Sequence, residues 1–264
     1  MKNPLIVGLI LLTGITSACQ KEIELPEVLV TATSRITVAF ENLDQQLEAA
    51  AAYLVSVDMD TSLIRARLAE LVVSNPSVGG FSWITPEGIL KIIEPMSGYS
   101  SQGVDISGQD HIIRCFATRQ PVLSSSFTLV EGFQAAIDIH PIMDNGILLG
   151  GVDAVIRTGE FLGTVIGPLL EGDVEFELWV VEKGGTMIYD QDAYVIGLNL
   201  FTDPLYQDFP DLLTAAEKIN DEKTGTTHYS FYKALTNETV TKLAYWTTVE
   251  HHGMEWKIVW VKPE

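Results

Sequence analysis

The sequence predicts an α+β fold in which one long helix precedes two similar modules, each an antiparallel sheet with flanking helices. Three observations support this prediction. A helical apolar stripe covers residues 34–75, strand-like segments with turn dipeptides fill residues 76–157, and the same order of elements returns over residues 175–262. We call the two sheet regions the first and second modules. Residues 158–174 are predicted to form a helix that connects them.

The long helix is predicted from apolar residues that alternate by four and three positions. The stripe runs from Ile36 to Leu71 and is interrupted only at Thr61. About 36 residues of helix would reach about 54 Å, more than one small module needs, so we expect the helix to run along more than one packed unit. Asp58 and Asp60 lie near its middle and can begin a new helix, so the pattern allows a kink or a break there.

The strands are predicted from segments rich in branched and aromatic residues between turn dipeptides. In the first module they cover residues 80–84, 88–94, 122–126, 133–141 and 147–156, with a helix at 107–118. In the second module a hairpin, a helix and three strands are predicted at residues 176–181, 186–189, 211–220, 226–232, 240–249 and 256–261.

Composition and charge restrict the classes of function. The chain has 264 residues, of which 47% are apolar and 19% charged, as expected for a globular protein with a sizeable core. Its 35 acidic and 16 basic residues give a net charge of -19, so the field of the molecule repels a phosphate backbone and no nucleic-acid partner is expected. The two cysteines, Cys19 and Cys115, are too few for a disulfide scaffold or a four-thiolate zinc site.

Residues 1–19 are predicted to be a signal peptide. Lys2 precedes an apolar run at residues 5–15, which as a helix spans only about 16 Å, roughly half of a bilayer core. Small residues before Cys19 resemble the lipobox of prokaryotic lipoproteins, which implies that the Cys19 thiol carries a lipid. Thr16 departs from the leucine usual in that motif. An uncleaved N-terminal anchor is the alternative, and with either the rest of the chain is expected to be exported.

Short phrases in both modules occur in an order that resembles a known family. They are GFSWI at 80–84, PEG at 86–88, GVDIS at 103–107, QPVLS at 120–124, IHPI at 139–142, GGVD at 150–153, GGTMIYD at 184–190, IG at 196–197 and GMEWKI at 253–258. Together they resemble the double Cache family of extracellular sensor domains, in which two PAS-like modules pack along a long N-terminal helix. The resemblance covers about residues 34–261.

The resemblance implies that a small organic molecule binds in the membrane-distal module, here the first, while the second is membrane-proximal. The amino-acid-binding branch of the family has a tyrosine, an arginine five residues later, a tryptophan and tyrosine after it, and an aspartate on the last strand of the module. Arg114 and Asp153 match the arginine and the aspartate. Gln109, Phe116 and Ala117 replace the three aromatic residues, so the sequence does not specify an α-amino acid.

The chemistry of these residues suits a small ligand. The planar guanidinium of Arg114 matches a carboxylate bidentately, and a local cation matters in a chain this acidic. Asp153 can pair with an ammonium or a hydroxyl. Apolar pocket walls can come from four aromatic residues, Phe81, Trp83, Phe116 and Phe133. The alternative is that Arg114 and Asp153 pair with each other or with solvent and that the aromatic residues are core.

Histidines are not predicted to bind a metal. His251 and His252, with Glu255 nearby, lie at a predicted hairpin turn, and adjacent residues of a strand point to opposite faces. His140 precedes a proline in a predicted strand and is expected to be a core or strand-end residue. The sequence therefore predicts no metal site.

Other motifs do not indicate catalysis. Asp190, Asp192 and Asp203 lack the spacing of a calcium loop and are expected to lie in solvated turns. Cys115 has no obvious base and is expected to be buried as a small hydrophobe. Asn237 begins a glycosylation sequon by pattern only. The chain is therefore not expected to be an enzyme or to hold a cofactor.

Residues 262–264 alone follow the last predicted strand, whereas sensors of the family continue into a second membrane helix. We therefore expect a lipid-anchored extracytoplasmic protein that captures a small organic solute, expected to bear a carboxylate, and presents it to a separate transmembrane receptor or transporter. The alternative is a protein-interaction lipoprotein with a vestigial pocket.

Overall fold

The computed structural model has the predicted α+β fold, in which two antiparallel sheets pack along a long N-terminal helix. It describes residues 23–129, 133–172, 175–233, 236 and 238–264. The predicted signal peptide with Cys19 and the sequon residue Asn237 lie outside these residues. No helix within the described ranges is long and apolar enough to cross a membrane.

The predicted helix over residues 34–75 is two helices, α1 (Glu27–Ser56) and α2 (Thr61–Ser74). Helix α1 therefore begins seven residues before the predicted start at residue 34. It breaks where Asp58 and Met59 take positive φ angles of 50° and 56°, which a helix cannot continue. Asp60 then caps α2, because its carboxylate accepts hydrogen bonds from the backbone N–H groups of Ser62 and Leu63 at 2.8 and 3.1 Å.

The first module is one antiparallel sheet with the order β2-β1-β6-β5-β3, and a short β4 also pairs with β5. Helix α3 lies on one face of this sheet, and α4 leads out of it. The elements are β1 (Val78–Ile84), β2 (Leu90–Glu94), α3 (Asp110–Thr118), β3 (Val122–Leu123), β4 (Phe127–Thr128), β5 (Gln134–Asp144), β6 (Ile147–Arg157) and α4 (Thr158–Ile166).

The second module is an antiparallel sheet with the order β8-β7-β11-β10-β9. Two helices cover one face, where Trp246 and Tyr206 are fully buried. The elements are β7 (Glu177–Glu182), β8 (Met187–Tyr189), α5 (Pro204–Gln207), α6 (Pro210–Asp221), β9 (Gly225–Tyr232), β10 (Thr239–His251) and β11 (Met254–Pro263).

The strand register assigns the residues of the first sheet to two faces. Ser82 pairs with Asp153, and Asp153 pairs with Ile139, so these three side chains share one face. That side, which we call the α3 face, packs on α3 through Ile139. Phe81 and Trp83 alternate to the opposite side, the α1 face, and belong to the core formed with the long helix.

Helix α1 is part of the cores of both modules. Its fully buried residues, Ile36 and Leu47 among them, form one continuous apolar cluster with β1 and β6 of the first sheet and with β7 and β11 of the second. About 30 residues of helix span about 45 Å, which is enough to contact both sheets. The two modules are therefore packed on a shared helix.

Candidate functional site

Asp153 is a buried carboxyl on the α3 face. Its Oδ1 accepts hydrogen bonds from the Ser82 backbone N–H at 3.0 Å and from the Ser82 hydroxyl. Asp153 is only 3% exposed. Burial raises the pKa of Asp153 to about 7, although the Ser82 hydrogen bonds act to lower it. No lysine or arginine of the described chain forms an ion pair with this carboxyl. Asp153 is thus a buried acid without a cationic partner.

Replacing Asp153 by asparagine is expected to change how stability depends on pH. A raised carboxyl pKa makes the folded state bind more protons than the unfolded state, so its contribution to the free energy of unfolding falls as pH rises from about 4 to about 7. Asp153→Asn removes this loss and keeps the acceptor for Ser82. Relative to the parent, the variant should gain on the order of 3 kcal/mol across that window. Urea unfolding at a series of pH values measures the difference. The hypothesis is wrong if the free energy of unfolding depends on pH in the same way in the variant and the parent. Asp110→Asn, which changes an exposed carboxylate, is the control.

Arg114 lies on α3 but does not meet Asp153. Its Nη1 is 3.2 Å from Asp110 Oδ2, in an ion pair whose side chains are 39% and 79% exposed. Its Nη2 lies near the β10–β11 turn, 3.2 Å from where a Cβ on Gly253 would stand. The guanidinium of Arg114 therefore lies at the rim of the first module and faces the second module. Asp153 is instead in the interior.

The four predicted aromatic residues are divided between different surroundings. Phe116 packs on the α3 face, and its ring lies 3.2 Å from the Cβ position of Gly151, two residues from Asp153. Phe81 and Trp83 lie on the α1 face, so they line no pocket with Asp153. Their placement there corrects the sequence prediction. It follows from the two-residue period of the strand that contains Ser82 between them. Phe133 contacts Arg157, whose guanidinium carbon is 4.3 Å from the ring centroid.

A cluster of histidines and aspartates lies where α1, the first sheet and the β10–β11 turn meet. We call it the His–Asp cluster. His140 Nε2 and His252 Nε2 lie 3.1 and 2.8 Å from Asp44 Oδ1. His251 Nε2 lies 2.9 Å from Asp138 Oδ2 and 3.5 Å from Asp44 Oδ1. Three imidazoles thus converge on two carboxylates that come from different segments of the chain.

The convergence of His251 and His252 corrects the prediction that they point apart. His252 has a positive φ of 44°, which ends the alternation of the strand and brings both neighbouring rings to the same side. The ring of His251 stacks on Phe40 at a centroid distance of 4.1 Å. Glu255 is not in the cluster and contacts Lys183 and Lys257 instead. No local motif could have predicted the cluster, because its members come from three distant segments.

Contacts within the His–Asp cluster shift the pKa values of Asp44 and His251. Burial acts to raise the pKa of Asp44, but hydrogen bonds from the three histidines outweigh it and hold that pKa well below its usual range. Burial acts to lower the pKa of His251, but its bonds to Asp138 and Asp44 raise it to about 9. Asp44 and His251 therefore favour each other's charged forms.

The second module contains a cavity of about 30 Å³, enough for one or two water molecules. Asp190, Tyr206 and Lys242 are among its lining residues, and the Tyr206 hydroxyl has no hydrogen-bond partner within the described ranges. Asp190 is half-buried at this cavity and is not in the solvated turn that the sequence predicts. Burial raises its pKa to about 7. Asp203 instead caps α5 through the Leu205 N–H at 2.9 Å.

Cys115 is fully buried in the cluster under α3, as predicted. Burial raises the pKa of its thiol to about 12, and the charges of Asp138 and Asp153 act in the same direction. At neutral pH the side chain is therefore a thiol, which has little reactivity.

Comparisons with known proteins match this architecture. The model of the family described as HK/GC/Chemotaxis protein-like, sensor domain, matches residues 38–158, which include most of α1 and the first module. No curated protein matches the chain at the sequence level.

Solved structures show the same fold over most of the chain. An extracellular ligand binding receptor from Desulfohalobium retbaense is 27% identical, with a TM-score of 0.73 over 89% of this chain. The chain spans only 39% of that receptor. The ligand binding domain of the Pseudomonas aeruginosa amino acid chemoreceptor PctB, solved with L-Arg, is 12% identical, with a TM-score of 0.65 and coverage of 90% and 93%. The corresponding domain of PctC, solved with GABA, is 17% identical, with a TM-score of 0.60 and coverage of 89% and 96%.

The protein therefore has the double Cache fold of extracellular sensor domains, and the predicted resemblance is confirmed. The matching family is described as a sensor domain, and these solved structures are described as ligand-binding domains of receptors.

Proposed function

We propose that the protein is a lipid-anchored extracytoplasmic binding protein that captures a small organic solute and presents it to a separate receptor or transporter. The solute bears a carboxylate and an ammonium or hydroxyl group. Asp153 carries the proposal, since it is a buried acid with no cationic partner in the described part of the chain and is held by Ser82 on the face that α3 covers. The fold supports the proposal, because relatives with this fold were solved with L-Arg and GABA.

Asp153 is the proposed contact for the ammonium or hydroxyl group of the solute. An ammonium beside Asp153 favours the ionised carboxyl and offsets the cost of its burial. Phe116 supplies an apolar wall on the same face. Because Asp153 is only 3% exposed, binding at this carboxyl requires the α3 face to open.

Arg114 is the proposed contact for the carboxylate of the solute. Its present partner, Asp110, is largely exposed, and such surface ion pairs contribute little to stability. The guanidinium can therefore leave Asp110 for a ligand at small cost. In a chain with a net charge of -19, this local cation would favour the approach of an anionic group.

Lipid anchoring is proposed from the sequence, on the small residues that precede Cys19. A lipid at this position would hold the protein at the membrane surface, and α1 begins at Glu27. The proposed partner for signalling or uptake is a separate transmembrane receptor or transporter.

A thermal-shift screen of residues 20–264 tests the binding function. Amino acids, ω-amino acids, carboxylates and amines are the probes. A solute at 100 times its Kd should stabilise the protein by about 2.7 kcal/mol, because it binds only the folded state. Arg114→Ala and Asp153→Asn should each weaken or abolish the shift. Arg119→Ala, which changes an exposed arginine at the end of the same helix, should leave it unchanged.

A full shift in both Arg114→Ala and Asp153→Asn would contradict the proposed site. The close packing of Phe116 and Ile139 over Gly151 favours a second function, a protein-interaction module with a vestigial pocket. That function predicts no shift with any solute in the screen.

A further inference from the structure

We propose that the His–Asp cluster binds a transition-metal dication, for which Zn²⁺ is the best fit. The proposed ligands are Asp44, Asp138, His140 and His252, with His251 as an orienting residue. The ion would join α1, strand β5 and the β10–β11 turn, and thereby fasten the two modules to their shared helix.

The donor atoms suit zinc better than calcium or magnesium. Two imidazole nitrogens and two carboxylate oxygens form a nitrogen and oxygen set typical of Zn²⁺, whereas calcium and magnesium prefer oxygen alone. Structural zinc sites have four ligands in a tetrahedron. The cluster offers that number from three segments of the chain.

The spacing of the donor atoms is close to that of a tetrahedral site. Ligands at about 2.0–2.1 Å from zinc stand about 3.3 Å from one another. In the cluster the distances from Asp44 Oδ1 to His252 Nε2 and His140 Nε2 are 2.8 and 3.1 Å. His140 Nε2 and Asp138 Oδ1 are 3.9 Å apart, and the four ligand atoms all lie within 4.8 Å of one another. Small side-chain adjustments therefore suffice to enclose an ion.

An unpartnered carboxylate oxygen independently indicates a missing ligand. Asp138 is 0% exposed, and its Oδ1 has no hydrogen-bond partner among the residues that the structure describes. A buried polar atom without a partner is costly, and such atoms are rare in folded proteins. It lies 3.9 Å from His140 Nε2, a distance too long for a hydrogen bond. A metal ion between these two atoms would satisfy both.

The surroundings of the cluster fit a metal site. The other oxygen of Asp138, Oδ2, lies 2.9 Å from His251 Nε2, so His251 fixes the orientation of this carboxylate, as outer partners of metal ligands commonly do. Phe40 stacks on His251 and holds the ring. The side chains of Asp44 and His252 are 23% and 21% exposed, so an ion has a route from solvent.

Zinc titration of the untagged chain tests the proposal. After removal of metals with a chelator, calorimetry and elemental analysis should show one Zn²⁺ per chain, and the midpoint of thermal unfolding should rise with zinc concentration. Co²⁺ should give the visible spectrum of a four-coordinate nitrogen and oxygen site. Ca²⁺ and Mg²⁺ should give neither response.

Variants assign the ligands. Loss of a direct ligand in His252→Ala should weaken zinc binding by more than about 100-fold, and His251→Gln should weaken it by about 10- to 100-fold, as for an outer partner. His228→Ala is the matched control, since its exposed side chain lies on β9, away from the cluster, and it should not change the Kd. Circular dichroism without metal checks that each variant folds.

Two results would overturn the proposal. One is a folded parent chain that binds no zinc and gives no four-coordinate Co²⁺ spectrum. The other is an unchanged Kd in His252→Ala. Should that variant fail to fold, the Co²⁺ spectrum of the parent chain decides alone, because it reports the ligand type without any substitution.

Discussion

Glu255→Ala is expected to destabilise the protein by about 3–5 kcal/mol, because it leaves a buried ammonium without its carboxylate. Lys257 is fully buried, and its Nζ lies 2.9 Å from Glu255 Oε2. Its other contacts are neutral oxygens, the Thr248 hydroxyl at 3.1 Å and the Glu222 carbonyl at 3.4 Å. Chemical denaturation at pH 7 measures the loss.

A second substitution identifies the cause of that loss. Lys257→Met removes the buried charge, so the double variant Glu255→Ala/Lys257→Met should recover most of the stability. Glu255 also contacts the exposed Lys183, and Lys183→Ala is the control, expected to cost less than about 1 kcal/mol. The hypothesis fails if the double variant is no more stable than Glu255→Ala.

The contact of Glu255 with Lys257 and Lys183 should also make the stability of the protein depend on pH in the acid range. Hydrogen bonds from Lys257 and Lys183 lower the pKa of Glu255 to about 2. A carboxyl group with a lowered pKa stabilises the folded protein above about pH 4.5, and this stabilisation is lost as the pH falls toward 2. Glu255→Ala should therefore lose less stability than the parent chain over this interval.

Gly150→Ala is expected to destabilise the first module by at least about 3 kcal/mol. Gly150 has a φ of +127°, which side-chain-bearing residues rarely adopt, and a Cβ there would lie 2.1 Å from the backbone oxygen of Ile84. Neither the strain nor the backbone contact can be relieved by a side-chain rotation. Thermal and urea unfolding measure the effect.

Gly146 in the same hairpin provides the control. It also has a positive φ, of 82°, but a Cβ there would meet nothing within 4 Å. Gly146→Ala should therefore cost only about 1 kcal/mol, the price of the backbone conformation alone. Equal losses at the two positions would show that the approach to Ile84 is not the cause.

The helices and strands could be predicted largely from the sequence, because periodicity is a local property. The stripe that includes Ile36 and Leu47 is buried as predicted, and the break near Asp60 appears where the pattern allowed it. The predicted start of α1 is too late, because Leu29 and Ala32 are buried and continue the same spacing of three and four residues toward the N-terminus of the helix.

The candidate site could be predicted only in part, because it depends on register and on loop conformation. Asp153 is buried on the α3 face, but the register that puts Ser82 beside it sends Phe81 and Trp83 to the other face. Register is set by strand pairing and is not encoded in one segment. The His–Asp cluster further depends on the positive φ of His252, which no sequence period indicates.

The shared position of α1 has a consequence for cooperativity. Since one helix supplies apolar surface to both sheets, one face of each sheet depends on α1 for its core. The two modules are therefore expected to behave as one folding unit, and a defect in the buried stripe of α1 is transmitted to both. A displacement of either sheet against α1 is therefore expected to change the packing of the other sheet on the same helix.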